Sequence, residues 1–274
     1  MVDNDNIAGN DPAPRRGAQS IRRAVGVLRI LAAGQQDGVA LSEVVRVTGL
    51  SRPTVHRIIH VLIEEGIVER QGKNYAIGRQ VPELALARPS RPALLIASDP
   101  ILSRASAELG DTLFLTVRTG NDTLCIDRRM GAYPIQVLSI EIGARRPLGV
   151  SSAGVAILAA LPGQEARKIV SDNERRFDVY RTDAPTILGQ IAAARRHGYS
   201  LREAGLVHGT KSISVWIKSR NNRPAAALTL TAIKARLGAR REQEVAEVLQ
   251  HSATAIERQL AMLTQSGQAR SPRA

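Results

Sequence analysis

The chain has a single cysteine, Cys125, in 274 residues, which excludes an intrachain disulfide and any zinc cluster built on several thiolates. Within TLCID that cysteine is expected to be a small hydrophobe on a strand. Aromatic residues make up 3% of the chain, so its cores have to be aliphatic. No apolar run approaches the roughly 20 residues that span a bilayer, so no membrane helix is expected. The opening stretch, MVDNDNIAGNDPAPRRGAQ, lacks the apolar centre of a secretory signal and reads as a disordered arm over residues 1–19. Together these absences lead to the expectation of a cytoplasmic protein. His197, His208 and His251 are too scattered for a metal spacing such as H-x-x-x-H, and no phosphate-binding glycine loop occurs, so neither metal nor cofactor is expected. GVSSAG resembles a nucleophile elbow, but Ala153 stands where G-x-S-x-G requires glycine, so an enzyme is not expected.

What is abundant is positive charge: +13 overall, which favours polyanionic partners. Residues 1–90 hold 12 Lys and Arg against 9 Asp and Glu, and residues 91–274 hold 26 against 16. The excess therefore does not concentrate in the segment whose local pattern points to DNA, and that pattern has to carry the reading.

The stretch SIRRAVGVLRILAAG places apolar residues at Ile21, Val25, Leu28 and Leu31–Ala32, a helical stripe after a candidate cap at Ser20. LSEVVRVTG predicts a short second helix with Ser42 as cap, Val44, Val45 and Val47 inside, and Gly49 at its end. Ser51 caps a third helix that has Pro53 in its first turn, where a missing N–H costs nothing. In that helix Val55, Ile58, Ile59 and Leu62 fall at i, i+3, i+4 and i+7, fixing a buried face. Arg52, His56, Arg57 and His60 then share the opposite side, with Thr54 at its N-terminal end. IVERQGKNYAIG reads as a hairpin whose tip offers Arg70 and Lys73. Taken alone, the third helix is equally a solvated surface face. The short turn TGLS, the two preceding helices and the basic hairpin make it a helix-turn-helix with a wing, in which Ser51, Arg52, Thr54, His56, Arg57, His60, Arg70 and Lys73 would contact a duplex.

Pro82, Pro89, Pro92 and Pro100 interrupt helical continuity, so a linker is placed at residues 81–97, between a winged domain at 20–80 and a second domain at 98–264, with a tail at 265–274. The second domain is predicted to begin with a helix from Ile101 to Gly110. TLFLTVR, DTLCIDR and YPIQVLSIEIG follow as three strands, then AGVAILAAL, GQEARKIVSD and ILGQIAAARRHG as helices. GTKSISVWIKS and AAALTLTAI alternate with period two about the turn RNNRP, and a long helix ends near Leu263. The fold class is α+β: a winged helix-turn-helix followed by helices packed on a mostly antiparallel sheet.

LSEVVRVTGLSRPTVHRIIHVLIEEGIVER, GVSSAGVAILAALP and RRHGYSLREAGLVHGTKSISVWI, in this order, resemble the IclR family of bacterial transcriptional regulators. The resemblance covers nearly the whole chain apart from its tails. It implies a winged helix-turn-helix over residues 20–90 and a GAF-like effector-binding domain for a small organic acid. It also implies assembly as a homodimer or homotetramer and a pseudo-palindromic DNA operator.

RPLGVSSAG is a candidate anion loop, because Ser151, Ser152 and Ala153 precede a helix starting near Gly154 and leave backbone N–H groups free; self-capping through Ser151 or Ser152 is the alternative. The resemblance implies that Ile135 and Leu138 form an apolar wall and that Thr229 and Thr231 present hydroxyls on one sheet face. Arg202 stands where the family places an acid after GYS, Ser212 where cysteine is common, and Ser214 where alanine is usual. Arg202 replaces an acceptor with a fork of donors matched to carboxylate, so the effector is expected to be more anionic than a small keto acid, for instance a dicarboxylate or hydroxylated aromatic acid. A surface Arg202 paired with Glu203 is the competing reading.

Overall fold

The structure, a computed structural model, describes residues 18–34, 37–86, 93–203, 207–218 and 224–269. The chain divides between Arg88 and Pro89 into two compact units. The expected arm up to residue 17, the turn RNNRP up to Arg223, the prolines at 89 and 92 and the tail from residue 270 lie outside the described residues.

In the first unit α1 (Gln19–Ala33), β1 (Val39–Ala40), α2 (Leu41–Thr48) and α3 (Arg52–Glu64) precede the hairpin β2 (Val68–Gln71) and β3 (Asn74–Ile77) and the short α4 (Gln80–Leu86). The small sheet runs β1-β3-β2, all antiparallel. Val27, Leu31, Val44, Val55, Ile59 and Val68 form its buried core, with Ile58 and Leu62 half-buried beside them. Gly49 ends α2 in the left-handed region at φ 65°, donating to the Val45 carbonyl, and this reversal lets α3 start after Ser51. At the wing tip Gly72 has φ 60° between the paired residues Gln71 and Asn74, the pattern of a type II′ hairpin turn.

Several sequence expectations are corrected here. Ser20 and Ser42 lie inside first turns, and the caps are Ala18 and Ala40; Ala40 is also the last residue of β1, so that strand runs directly into α2. Ile21 is 65% and Val25 39% exposed, because burial of α1 begins only at Val27, and Val47 is likewise exposed. Periodicity gives a face but not how far along it the neighbours reach. Pro82 is accommodated near the start of α4, and a helix already begins at Ala93, so most of the expected linker is helical.

In the second unit α5 (Ala93–Leu109) leads to β4 (Thr112–Thr119), β5 (Asp122–Arg129) and the edge strand β6 (Arg145–Pro147). Helices α6 (Ser152–Ala159), α7 (Gly163–Asn173) and α8 (Ala184–His197) follow, then β7 (Ser200–Arg202), β8 (Thr210–Lys218), β9 (Pro224–Ile233) and the long α9 (Ala239–Ala269). The antiparallel sheet has the order β6-β5-β4-β9-β8-β7. Strand alternation divides the core. Leu113, Leu115, Ile213, Val215, Leu228 and Leu230 pack with α5 and α9, whereas Trp216 and Ala227 join the cluster of α6, α7 and α8.

Helix α5 runs through Pro100, contrary to the expected start at Ile101. Pro100 denies a donor to the carbonyl of Ile96, but Ile96 is 42% exposed, where water can serve it. YPIQVLSIEIG is not a strand; only Arg145–Pro147 pairs with β5. Instead the segment is a loop pinned by Gln136, which donates to the carbonyls of Gly110 and Tyr133 and accepts from Thr112. Strand β7, which closes the other edge, was not assigned from sequence, and α9 continues past Leu263 to Ala269.

Ile59, on the buried face of α3, is 1% exposed. Replacing it with alanine is expected to cost about 2–5 kcal/mol in the first unit by transfer and cavity terms. Urea unfolding of wild type and Ile59→Ala measures it; an unchanged midpoint contradicts the packing described.

Candidate functional site

On α3, Val55 and Ile59 are buried while Arg52, Pro53, His56, Arg57 and His60 are exposed and Thr54 is half-buried. The Ser51 and Thr54 hydroxyls lie 2.8 Å apart at the helix start, so Ser51 caps by position, with extended backbone, and not by a bond to a helix N–H. His56 and His60 lie one turn apart with tilted rings whose centroids are 6.1 Å from each other, and His60 Nδ1 is 3.2 Å from Glu64 Oε1. Among the described residues no carboxylate pairs with Arg52 or Arg57, whereas Arg46 on α2 is held by Glu43. That pairing holds the half-buried Glu43 carboxyl below its usual range. At the wing, Arg70 Nε donates to the Gly72 carbonyl at 3.0 Å and Lys73 is exposed. Two unneutralised guanidiniums and a hydroxyl pair on the first turns of an exposed helix can grip phosphate and reach base edges.

In the second unit a cavity of about 30 Å³ lies on the sheet face shared with α6. Ser151, Ala153, Arg202, Ser212, Thr229 and Thr231, all expected at a ligand site, line it. Ser139, Ile140, Arg146, Val150 and Thr210 also line it and were not anticipated. Ser212 and Thr231 hydroxyls meet at 3.0 Å across β8 and β9, and one register step on Thr229 meets the buried Ser214 at 2.8 Å. The remaining expected residues lie elsewhere. Ile135 and Leu138 are 53% and 47% exposed, because their segment is a loop and period two assigns it no face; Val137 is the buried residue there. Ser152 Oγ reaches the Ser200 and Ser212 carbonyls at 3.1 and 3.5 Å, which ties α6 to β7 and β8. Gly154 donates its N–H to Ser151 Oγ at 3.2 Å, so the self-capping alternative holds for this N–H. A Cβ on Gly154 would lie 2.8 Å from the Gly149 nitrogen, so glycine is needed for that close approach.

Arg146 enters from β6, donating from Nη2 to the Ser139 carbonyl at 2.9 Å. Burial pushes its guanidinium below the ordinary value. Arg202 enters from β7, with Nη1 3.5 Å from the Gly149 carbonyl; burial lowers it too, and the positive charge of Arg146 lowers it further. The signal for Arg146 was present in RRP: adjacent strand residues face opposite sides, and Arg145 goes to Asp122 at 3.6 Å. Arg202 also borders a wider recess of about 690 Å³ with Tyr180, Thr186, Gln190 and His208. The neighbouring Glu203 pairs with Lys211 at 3.1 Å and Lys234 at 3.5 Å, and the buried Lys211 is also held by Glu242 at the start of α9.

Among the described residues no group of His, Cys, Asp and Glu is arranged to hold a metal, and no helix is long and apolar enough to cross a membrane. Cys125 is buried, and burial pushes its thiol up to about 11.

Residues 20–72 match the IclR helix-turn-helix domain, and residues 90–258 match the description bacterial transcriptional regulator IclR C-terminal. The regulator KipR of Bacillus subtilis is 24% identical over 82% of this chain and 91% of its own length. The transcriptional repressor IclR of Escherichia coli is 26% identical over 80% of this chain and 82% of its own. Among solved structures, an IclR family regulator from Brucella abortus superposes with TM-score 0.73 at 21% identity, covering 91% of this chain and 95% of that one. An IclR homolog from Microbacterium hydrocarbonoxydans complexed with 4-hydroxybenzoate gives TM-score 0.64 at 25% identity, covering 89% and 100% respectively.

With its thiol at about 11, Cys125 at pH 8 has a thiolate fraction of about one in a thousand. Native protein is therefore expected to react with a thiol reagent far more slowly than denatured protein. Equal rates contradict the burial.

Proposed function

The chain belongs to the IclR family of bacterial transcriptional regulators, and from that premise we propose that its affinity for a DNA operator is set by a small organic acid bound in the second unit. The helix-turn-helix makes it a DNA-binding regulator. Helix α3 enters the major groove and uses Arg52, Thr54, His56, Arg57 and His60 on base edges and on the phosphates beside them, while Ser51, Arg70 and Lys73 grip flanking phosphates. The observation carrying it is the division of one helix between buried Val55 and Ile59 and exposed, acid-free Arg52 and Arg57.

Two copies present two such helices, which would read a pseudo-palindromic operator with half-sites about one helical turn apart. Exposed Ile21 and Val25, one turn apart on α1, and the long α9 support a homodimer or homotetramer. In the second unit the cationic, hydroxyl-rich cavity supports an organic-acid effector, as does the acid carried by the Microbacterium homolog. The acid selects one arrangement of the oligomer over another and so changes the distance between recognition helices. Arg202 adjoins Glu203, whose partner Lys211 also holds Glu242, so a displacement at the cavity would be felt at the start of α9. A coupling of about 1–3 kcal/mol changes operator affinity roughly 5–150-fold.

Arg57→Ala is expected to weaken operator binding and to lower the salt dependence of log Kd by about 1, as for loss of one phosphate contact. Fluorescence anisotropy at several salt concentrations reads both; unchanged affinity and slope remove Arg57 from the interface. In thermal-shift titrations organic acids are expected to stabilise wild type more than Arg202→Ala, and equal stabilisation removes Arg202 from the site.

A further inference from the structure

Strand β6 carries two adjacent arginines with different surroundings. Arg145 faces Asp122 at 3.6 Å, so its charge is answered within the protein. Arg146 points to the other side of the sheet and lines the cavity. No carboxylate is among the described residues that line that space with it. The neighbours that favour its charge are the Tyr180 phenol and the Cys125 thiol, neither of them a carboxylate, and burial works against it. A guanidinium stays charged, so in this half-buried place a ligand is left to neutralise it.

The residue is also held ready. The Thr123 hydroxyl donates to the Arg146 carbonyl at 3.1 Å, and Arg146 Nη2 donates to the Ser139 carbonyl at 2.9 Å. That second contact uses one N–H and leaves the rest of the fork. The cavity volume of about 30 Å³ compares with about 10–15 Å³ for a single water, so two or three water-sized groups fill it. The two oxygens of one carboxylate meet that size, and a whole organic acid does not.

We infer that Arg146 is the specificity-determining residue of the effector site: its guanidinium receives a single carboxylate of the effector, and the remainder of the molecule lies outside this space. This rests on the effector reading above and adds to it the residue that reads the acid and the number of carboxylates enclosed. A carboxylate there accepts from a planar fork and neutralises its charge. A carboxamide of the same shape brings no charge and turns an NH2 donor toward donors. The Ser212 and Thr231 hydroxyls, which meet each other at 3.0 Å, are uncharged and cannot supply that discrimination.

Isothermal titration of the full chain compares two acids with their own amides: butyrate with butyramide, and 4-hydroxybenzoate with 4-hydroxybenzamide. The acid is expected to bind at least about tenfold tighter in one pair or both, and Arg146→Gln is expected to reduce that preference to about threefold or less. Arg146→Lys, which keeps the charge but not the fork, is expected to fall between the two. Arg145→Gln removes the same charge from the neighbouring residue and is expected to keep the wild-type preference. Circular dichroism establishes that each variant is folded. A preference that survives Arg146→Gln, or that falls equally in Arg145→Gln, overturns Arg146 as the reader of the acid while leaving an acid effector in place. Amides binding as tightly as the acids in both pairs, or binding of none of the four compounds, overturns the effector reading together with the inference.

Discussion

The structure depends on how α3 is held. Val55 and Ile59 sit at or below 1% exposure against Val27, Leu31 and Val44, and burying side chains of this size contributes about 1.5–3 kcal/mol each. Because 3.6 residues make a turn, fixing those two positions turns Arg52, His56 and Arg57 to solvent with no freedom to rotate inward. Gly49 and Ser51 set where the helix starts, and the wing places Arg70 and Lys73 on the same compact unit. The helix is thus rigid where it meets its own body and cationic where it can meet a polyanion.

A comparable division operates in the second unit. Alternation along β8 and β9 sends Ile213, Val215, Leu228 and Leu230 to the α5 and α9 side, while Ser212, Ser214, Thr229 and Thr231 face the other way. Hydroxyls on that face would be costly if left unpaired, and they are paired across the strands. Above them α6 is anchored through Ser152 to β7 and β8. The cavity is therefore framed by hydroxyls paired across the strands, with Arg146 and Arg202 at its wall. Glu203, next to Arg202, shares the buried Lys211 with Glu242 of α9, which links the edge of the cavity to that helix.

Much of this was legible in the chain because it follows local periods. The buried face of α3 needs only a period of 3.6, and the shared sheet face of Thr229 and Thr231 only a period of 2. What was not legible depends on where neighbours stop. Ile21 and Val25 continue a valid helical stripe, but they are exposed, and no described residue of their unit covers them. YPIQVLSIEIG alternates convincingly and is still a loop, because Gln136 ties it to Gly110 and Tyr133, so Ile135 and Leu138 point outward. Arg146 was missed for a different reason: an arginine facing a cavity and one paired at the surface look alike until the partner of each is known. The short β7 gives no periodic signal, yet it delivers Arg202.

Selection of bound sequences from a random duplex library is the most direct measurement of the central claim, that the exposed side of α3 reads DNA. Enrichment of a two-part, inverted sequence with half-sites about one helical turn apart is expected, and loss of that enrichment when Arg52 and Arg57 are both alanine. Retention of DNA without enrichment of any sequence, or an unchanged consensus in the double variant, would contradict it.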